Sequence, residues 1–338
     1  MVHSRGCGKK EMKRTVFPKL QETKPYSLEP FIRSQLQAKG YNGGFYDPYD
    51  PDPCLIDIFS ARAAATAGMD ISEGVTASAF NIPAGNRYIP AVRYSITQPS
   101  GHIILFLHGG GFTVGSISHK DAQCRYLAQV SGADVISLEY RLAPEAMYPA
   151  GKEDAIAGLQ YCASLDHDAL IIGGDSAGAA LSANAILESG VKTDFAFFLY
   201  GAFDLETAEA MEVPFSYADF PVSEEDKDLV YNRLNRFRRL AVDMHKMYLP
   251  EGISAKDPAV SPMYAEDFSA FPSSLFIIAE YDYYRFCNEA FACKLERQGI
   301  PAEVLFYEGL DHGFFDRLGS VPQAKHCIEQ IGIRVKTL

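Results

Sequence analysis

The sequence has no uninterrupted apolar stretch of about 18 residues, so it predicts no membrane span. It has no surplus of base: 31 Lys and Arg face 43 Asp and Glu, a formal net charge of −12. General nucleic-acid binding needs a basic face and is not expected. Lys9, Lys10, Lys13 and Arg14 are followed by no apolar h-region, so no secretory signal is read. The cysteines, Cys7, Cys54, Cys124, Cys162, Cys287, Cys293 and Cys327, are odd in number and hold no C-x-x-C pair. That spacing speaks against a disulfide scaffold or a zinc site, and for thiols mostly buried in a reducing compartment. A cytoplasmic protein is the expectation. No internal repeat or low-complexity tract is visible.

What is present is material for a large core: 47% of the 338 residues are apolar and 22% are charged. Residues 1–27 are polar and read as a loose arm. A short helix is expected over 28–39, and three prolines in Asp47-Pro48-Tyr49-Asp50-Pro51-Asp52-Pro53 forbid regular structure. A helical pattern returns over 55–67. From residue 91 the pattern is that of strands separated by helices: strands at 91–96, 102–107, 133–138, 169–173 and 195–199, helices at 121–131, 153–165 and 176–188. Continuous apolar runs such as Ile103-Ile104-Leu105-Phe106-Leu107 suit a sheet buried on both faces, and the alternation implies βαβ units and a mainly parallel sheet. The alternation breaks after residue 201. A long helix is expected from Ser223 as N-cap, with Arg233, Arg236, Arg238 and Arg239 read as a solvated face rather than an anion site. Strand, helix and strand resume at 275–279, 289–298 and 302–306, before a terminal helix from about 323.

The strand at 169–173 runs into Gly174-Asp175-Ser176-Ala177-Gly178, a G-x-S-x-G turn between strand and helix. In such an elbow a serine is held clear of the sheet, and small neighbours are needed because strand and helix nearly touch. A serine hydroxyl needs a base, and the base an orienting acid, in the chain order Ser, Asp/Glu, His. His312, beside Gly313 after the last strand, fits the base. Asp282, after the strand at 275–279, fits the acid, with Glu280, Glu308 and Asp311 as competing carboxylates. His108-Gly109-Gly110-Gly111-Phe112 ends the apolar strand. Successive glycines let bare backbone N–H groups approach a reacting carbonyl, while a phosphate loop would want a Lys-Ser/Thr pair that Thr113-Val114 does not supply. His108 is expected to pack within that loop rather than act as a base.

These motifs, with Tyr140-Arg141-Leu142-Ala143-Pro144-Glu145 and His312-Gly313-Phe314, resemble the hormone-sensitive-lipase-like branch of the α/β-hydrolases, bacterial family IV esterases included. The likeness runs from about residue 92 to the C-terminus. It implies an α/β fold with a mainly parallel central sheet flanked by helices. The core would be 81–204 and 256–338, capped by residues 28–80 and an insertion at 205–255. It also implies a serine carboxylester hydrolase with Ser176 as nucleophile, Asp282 as acid and His312 as base, and with oxyanion N–H groups from Gly110, Gly111 and Ala177. Two departures stand out: Tyr283 replaces the family's proline after the aspartate, and the arm before Leu28 has little counterpart. The partner is then a small ester of short-to-medium acyl length, with no metal or organic cofactor and a homodimer left open. The same parts would serve an amidase or deacetylase. A non-catalytic receptor on this fold would tend to lose the base, which His312 retains.

Overall fold

The apolar runs read as doubly buried strands lie side by side at the middle of one sheet. The structure is a computed structural model that describes residues 13–19, 24–41, 58–64 and 67–338. Its strands are β1 (Lys13–Phe17), β2 (Thr76–Ala84), β3 (Arg87–Ser95), β4 (Ile103–Leu107), β5 (Asp134–Leu138), β6 (Leu170–Asp175), β7 (Phe195–Leu199), β8 (Ser273–Tyr281) and β9 (Ala302–Asp311). Its helices are α1 (Pro30–Ala38), α2 (Ile58–Ala64), α3 (Asp121–Ser131), α4 (Ala150–Ser164), α5 (Ala177–Glu188), α6 (Lys227–Tyr248), α7 (Arg285–Arg297) and α8 (Pro322–Val335). Among the described residues the strands form a single sheet in the order β1-β9-β8-β7-β6-β4-β5-β3-β2. Only the β2–β3 and β3–β5 pairings are antiparallel. Every residue of β4, β5, β6 and β7 is buried, which requires cover on both faces of the sheet. Helix pairs α3/α8 and α4/α5 supply part of that cover.

The structure departs from expectation where tertiary contacts override local signals. The arm is not loose throughout: β1 adds a parallel edge strand to β9, with Phe17 stacked 5.0 Å from Tyr307 and the Arg14 guanidinium 4.2 Å over Phe306. β2 was not foreseen. It is a mostly exposed edge strand of small residues, joined to β3 through a Gly85-Asn86 turn, and it places the boundary expected at residue 81 inside a core strand. The long helix starts at Lys227 and not at Ser223. The Ser223 carbonyl accepts from the Asp226 N–H (3.0 Å) in a turn, and the Asp226 carboxylate takes the Leu28 N–H and an Arg33 N–H (both 2.8 Å), tying α1 to α6. β9 continues to Asp311 past a register shift facing Ala279 and Tyr281, so Glu308 and Asp311 belong to a strand, not to a loop shared with His312. The Asp/Pro/Tyr loop at 46–53 lies outside the described residues. Cys124, Cys162, Cys287 and Cys327 are buried thiols, whereas Cys293 is engaged in a disulfide that its spacing did not signal. Among the described residues, no helix is long and apolar enough to cross a membrane.

Candidate active site

β6 ends at Asp175 and α5 begins at Ala177, so Ser176 alone makes the turn, with φ 53° and ψ −116°. A non-glycine residue rarely adopts a positive φ, and here the surroundings hold it. The Ser176 N–H donates to Leu199 O of β7 (2.9 Å), and Ser176 O accepts from Ala179, Ala180 and Ala202. The flanking glycines are dictated by space: a Cβ at Gly174 or Gly178 would collide with the backbone carbonyl oxygen of Leu107.

His312 follows β9 directly, and Gly313 (φ 84°) turns the chain behind it. Its Nε2 lies 2.9 Å from Ser176 Oγ, and its Nδ1 lies 2.9 and 3.0 Å from the two Asp282 oxygens. A carboxylate only accepts, so the shared proton on that side belongs to Nδ1, and Nε2 is left to accept from the serine hydroxyl. Asp282 is fully buried between β8 and α7. Its Oδ1 also takes the Tyr284 N–H (2.7 Å), a turn that fixes the carboxylate. Tyr283, in place of the family's proline, packs against Phe215 and Phe237 and leaves Asp282 in reach of His312. Two of the three competing carboxylates are engaged elsewhere: Glu280 takes the Gly309 N–H (2.8 Å), and Asp311 takes Arg233 and Arg317.

Gly109, Gly110 and Gly111 leave the end of β4 and line the cavity beside Ser176, with φ of 130° at Gly110 and 58° at Gly111. Val114 and Thr113 N–H groups fold back on Gly110 O. Among the described residues, the Gly110, Gly111 and Ala177 N–H groups have no acceptor. Ala177 itself is buried as the first residue of α5, with its N–H at the helix N-terminus next to Ser176. His108 behaves as expected. It stacks 4.2 Å from Tyr140 and contacts Gly109 O, and burial pushes its imidazole down to about 3, so it stays neutral. The Tyr140 hydroxyl donates to His108 O (2.7 Å). Arg62 of α2 donates to Thr113 O and Ala143 O and makes a paired contact with Glu145, which ties the Tyr140–Glu145 motif to the glycine loop.

Asp175 of the elbow has a second task. Its Oδ1 takes the Gly109 N–H (2.8 Å), and its Oδ2 takes the Nζ of Lys120 (2.9 Å), which also bonds Asp316. Lys120 is buried, which would lower its pKa, but Asp175 and Asp316 outweigh burial and hold it charged. Sequence reasoning passed over Lys120, as it did Tyr200 and Phe237, whose rings lie 4.7 and 4.4 Å from the His312 ring. The reading of Arg233 as part of a solvated face is also corrected. Arg233 reaches from α6 to Asp311 (3.0 Å) and His312 O (3.2 Å) and lines the cavity, because α6 lies across the strand ends with that face inward. Arg236 is exposed over the Tyr41 ring, and Arg238 pairs with Glu209.

The cavity that joins these parts measures about 430 Å³. Residues 104–316 match a family described by the alpha/beta hydrolase fold. The carboxylic ester hydrolase LipN of Mycobacterium tuberculosis is 32% identical over 286 residues, covering 77% of this chain and 71% of that protein. An arylesterase of Saccharolobus solfataricus is 30% identical over 74% of this chain and 79% of its own length. The solved esterase of Pyrobaculum calidifontis superposes with a TM-score of 0.72 at 26% identity, over 92% of this chain and 98% of that one. The chain therefore belongs to the α/β-hydrolase superfamily, in its hormone-sensitive-lipase-like branch of esterases.

Proposed function

We propose that this esterase cleaves small carboxylic esters of short-to-medium acyl length through an acyl-enzyme on Ser176. Ser176 Oγ attacks the ester carbonyl while His312 Nε2 takes its proton. Asp282 holds the imidazole through Nδ1 and stabilises its cation without itself being protonated. The Gly110, Gly111 and Ala177 N–H groups receive the developing oxyanion, and one such donor is worth roughly 3 kcal/mol of transition-state stabilisation. His312 then gives its proton to the departing alkoxide, and a water activated by the same imidazole releases the acid. The observation that carries this reading is the unbroken chain of contacts from Ser176 Oγ through His312 to Asp282.

The acyl-length preference follows from the roof. The segments before β2 and at 205–255 are proposed as the cap, since Gln35 of α1, Ala61 of α2, and Phe237 and Leu240 of α6 close over the cavity. Its volume of about 430 Å³ suits a small ester better than a long chain. A cytoplasmic setting is proposed on the four buried thiols, against which the single disulfide of Cys293 weighs. The test is Ser176→Ala. Hydrolysis of nitrophenyl butyrate should fall by up to about a million-fold with the fold intact, because the triad acts as a unit. A labelled fluorophosphonate should mark the wild type and leave the variant unmarked. An adduct on Ser176→Ala would refute the assignment. Faster turnover of a long-chain emulsified triglyceride than of butyrate would refute the acyl range.

A further inference from the structure

One wall of the cavity is made of donors. Gln35 and Lys39, at the C-terminal end of α1, face Arg233 of α6 and Arg317, and all four line the cavity with Ser176 and His312. Arg233 and Arg317 share a single buried carboxylate, Asp311, through Nε of the first (3.0 Å) and Nη1 of the second (2.7 Å). Three cations thus surround one anion on this wall. Burial raises the carboxyl pKa, but Arg317 and Arg233 outweigh it and hold Asp311 down to about 2, so that anion is always in place.

Donor capacity is left over. Arg233 uses Nε on Asp311 and Nη2 on His312 O (3.2 Å). Arg317 Nε donates to Gln35 Oε1 (2.7 Å), which turns the Gln35 amide nitrogen the other way. Among the described residues, Arg233 Nη1, Gln35 Nε2 and Lys39 Nζ find no acceptor. On the opposite wall the carboxylates are already engaged: Asp175 and Asp316 both grip Lys120, which leaves one net negative charge there, and Asp282 is turned onto His312 Nδ1. The Lys39 ammonium feels its surroundings. Partial burial lowers its pKa, and the neighbouring Arg233 and Arg317 lower it further. A cation among cations beside unfilled N–H donors is the arrangement that receives a carboxylate.

We propose that this wall of Gln35, Lys39 and Arg233 binds an anionic group of the substrate, so that the preferred esters carry a carboxylate a few atoms from the scissile carbonyl. The proposal rests on the esterase reading of Ser176 and names its substrate class. The distance is short because Arg233 is bonded to the backbone of His312 itself. In a chain of net charge −12, a local positive wall inside a cleft also draws anions that the outer surface repels.

Two matched pairs locate the charge. The nitrophenyl monoester of adipate against nitrophenyl hexanoate puts it on the acyl side, and 4-acetoxybenzoate against its methyl ester puts it on the alcohol side. In one pair, kcat/KM for the anionic member should exceed the neutral one by about tenfold or more at low salt, and the ratio should shrink as salt screens the wall. Lys39→Gln should lower that ratio by about threefold or more, chiefly through KM, and Lys39→Arg should restore it. A ratio of one or less in both pairs, or a ratio that neither salt nor Lys39→Gln changes, overturns the proposal. Binding is tested apart from turnover with Ser176→Ala. Monomethyl adipate should raise its melting midpoint more than dimethyl adipate does, and adding Lys39→Gln should remove the difference. Equal shifts overturn the proposal even if no ester is turned over. Failure to hydrolyse any of the four esters, with the binding difference intact, counts against the esterase reading alone.

Discussion

Three side chains carry the proposed chemistry, and each owes its place to a different local cause. Ser176 stands at a turn whose strain is held by the Leu199 and Ala202 backbones. His312 ends a strand. Asp282 begins the turn into α7 and is fixed by the Tyr284 N–H. All three were legible in the sequence, because chain order and position after successive strands are local properties. Lys39, Lys120, Tyr200 and Phe237 were not, since each reaches the site by packing across the fold and none has a distinctive neighbour in sequence. Among the four carboxylates, geometry favours Asp282, the one whose oxygens bond the His312 ring. Asp282→Asn should therefore lower kcat by about ten-thousand-fold, because an amide at that position can hold the wrong imidazole tautomer. Glu280→Gln leaves the His312 ring untouched and should cost far less in kcat. Rates for both variants at matched folding, checked by circular dichroism, decide the point. A large loss confined to Glu280→Gln would show that the acid is misassigned.

At the scale of elements, the site depends on loops held by buried ions. The glycine loop after β4 hangs from Asp175 through the Gly109 N–H, and Asp175 is in turn held by Lys120, at the start of α3. Removing one partner of a buried pair leaves the other charge without compensation, at a cost of about 3–5 kcal/mol. Lys120→Met should destabilise the fold by that order and lower kcat for every ester alike, as the N–H groups proposed to receive the oxyanion lose their support. Denaturant unfolding read beside kcat checks it. A variant as stable and as active as wild type would remove Lys120 from this account. The central elements were legible for a simple reason: β4, β5, β6 and β7 are buried on both faces and are written as apolar runs. The edges were not. β1 is a charged five-residue segment that becomes a strand only against β9. β2 buries a single side chain, Ile82, and its one local sign was the Gly85-Asn86 turn. The start of α6 was misplaced because Asp226, a good capping residue, spends its carboxylate on Leu28 and Arg33.

For the whole molecule, the balance of buried titratable groups sets how stability responds to acid. Burial pushes the His245 imidazole of α6 down to about 4, and that of His108 down to about 3. Buried carboxyls such as Glu280 and Asp204 are raised by burial and act in the opposite sense. The total slope of stability with pH is therefore a difference of opposing effects, and a single histidine is best isolated by comparing two proteins. His245 is protonated below about 6.5 when the chain is unfolded but only below about 4 when it is folded. Between those values the unfolded state holds the extra proton, so acid favours unfolding there, and the penalty stops growing below about 4. His245→Leu deletes that proton and fills the site with an apolar side chain. Its stability relative to wild type should rise by about 2 kcal/mol as pH falls from 7.5 to 5, most of it below about pH 6.5, where the unfolded imidazole takes up its proton. The carboxyls contribute equally to both proteins and cancel. Urea unfolding of the two proteins across this range gives the difference directly. Curves that stay parallel from pH 7.5 to 5 would mean that His245 titrates alike in the folded and unfolded chain, and that α6 does not bury its ring.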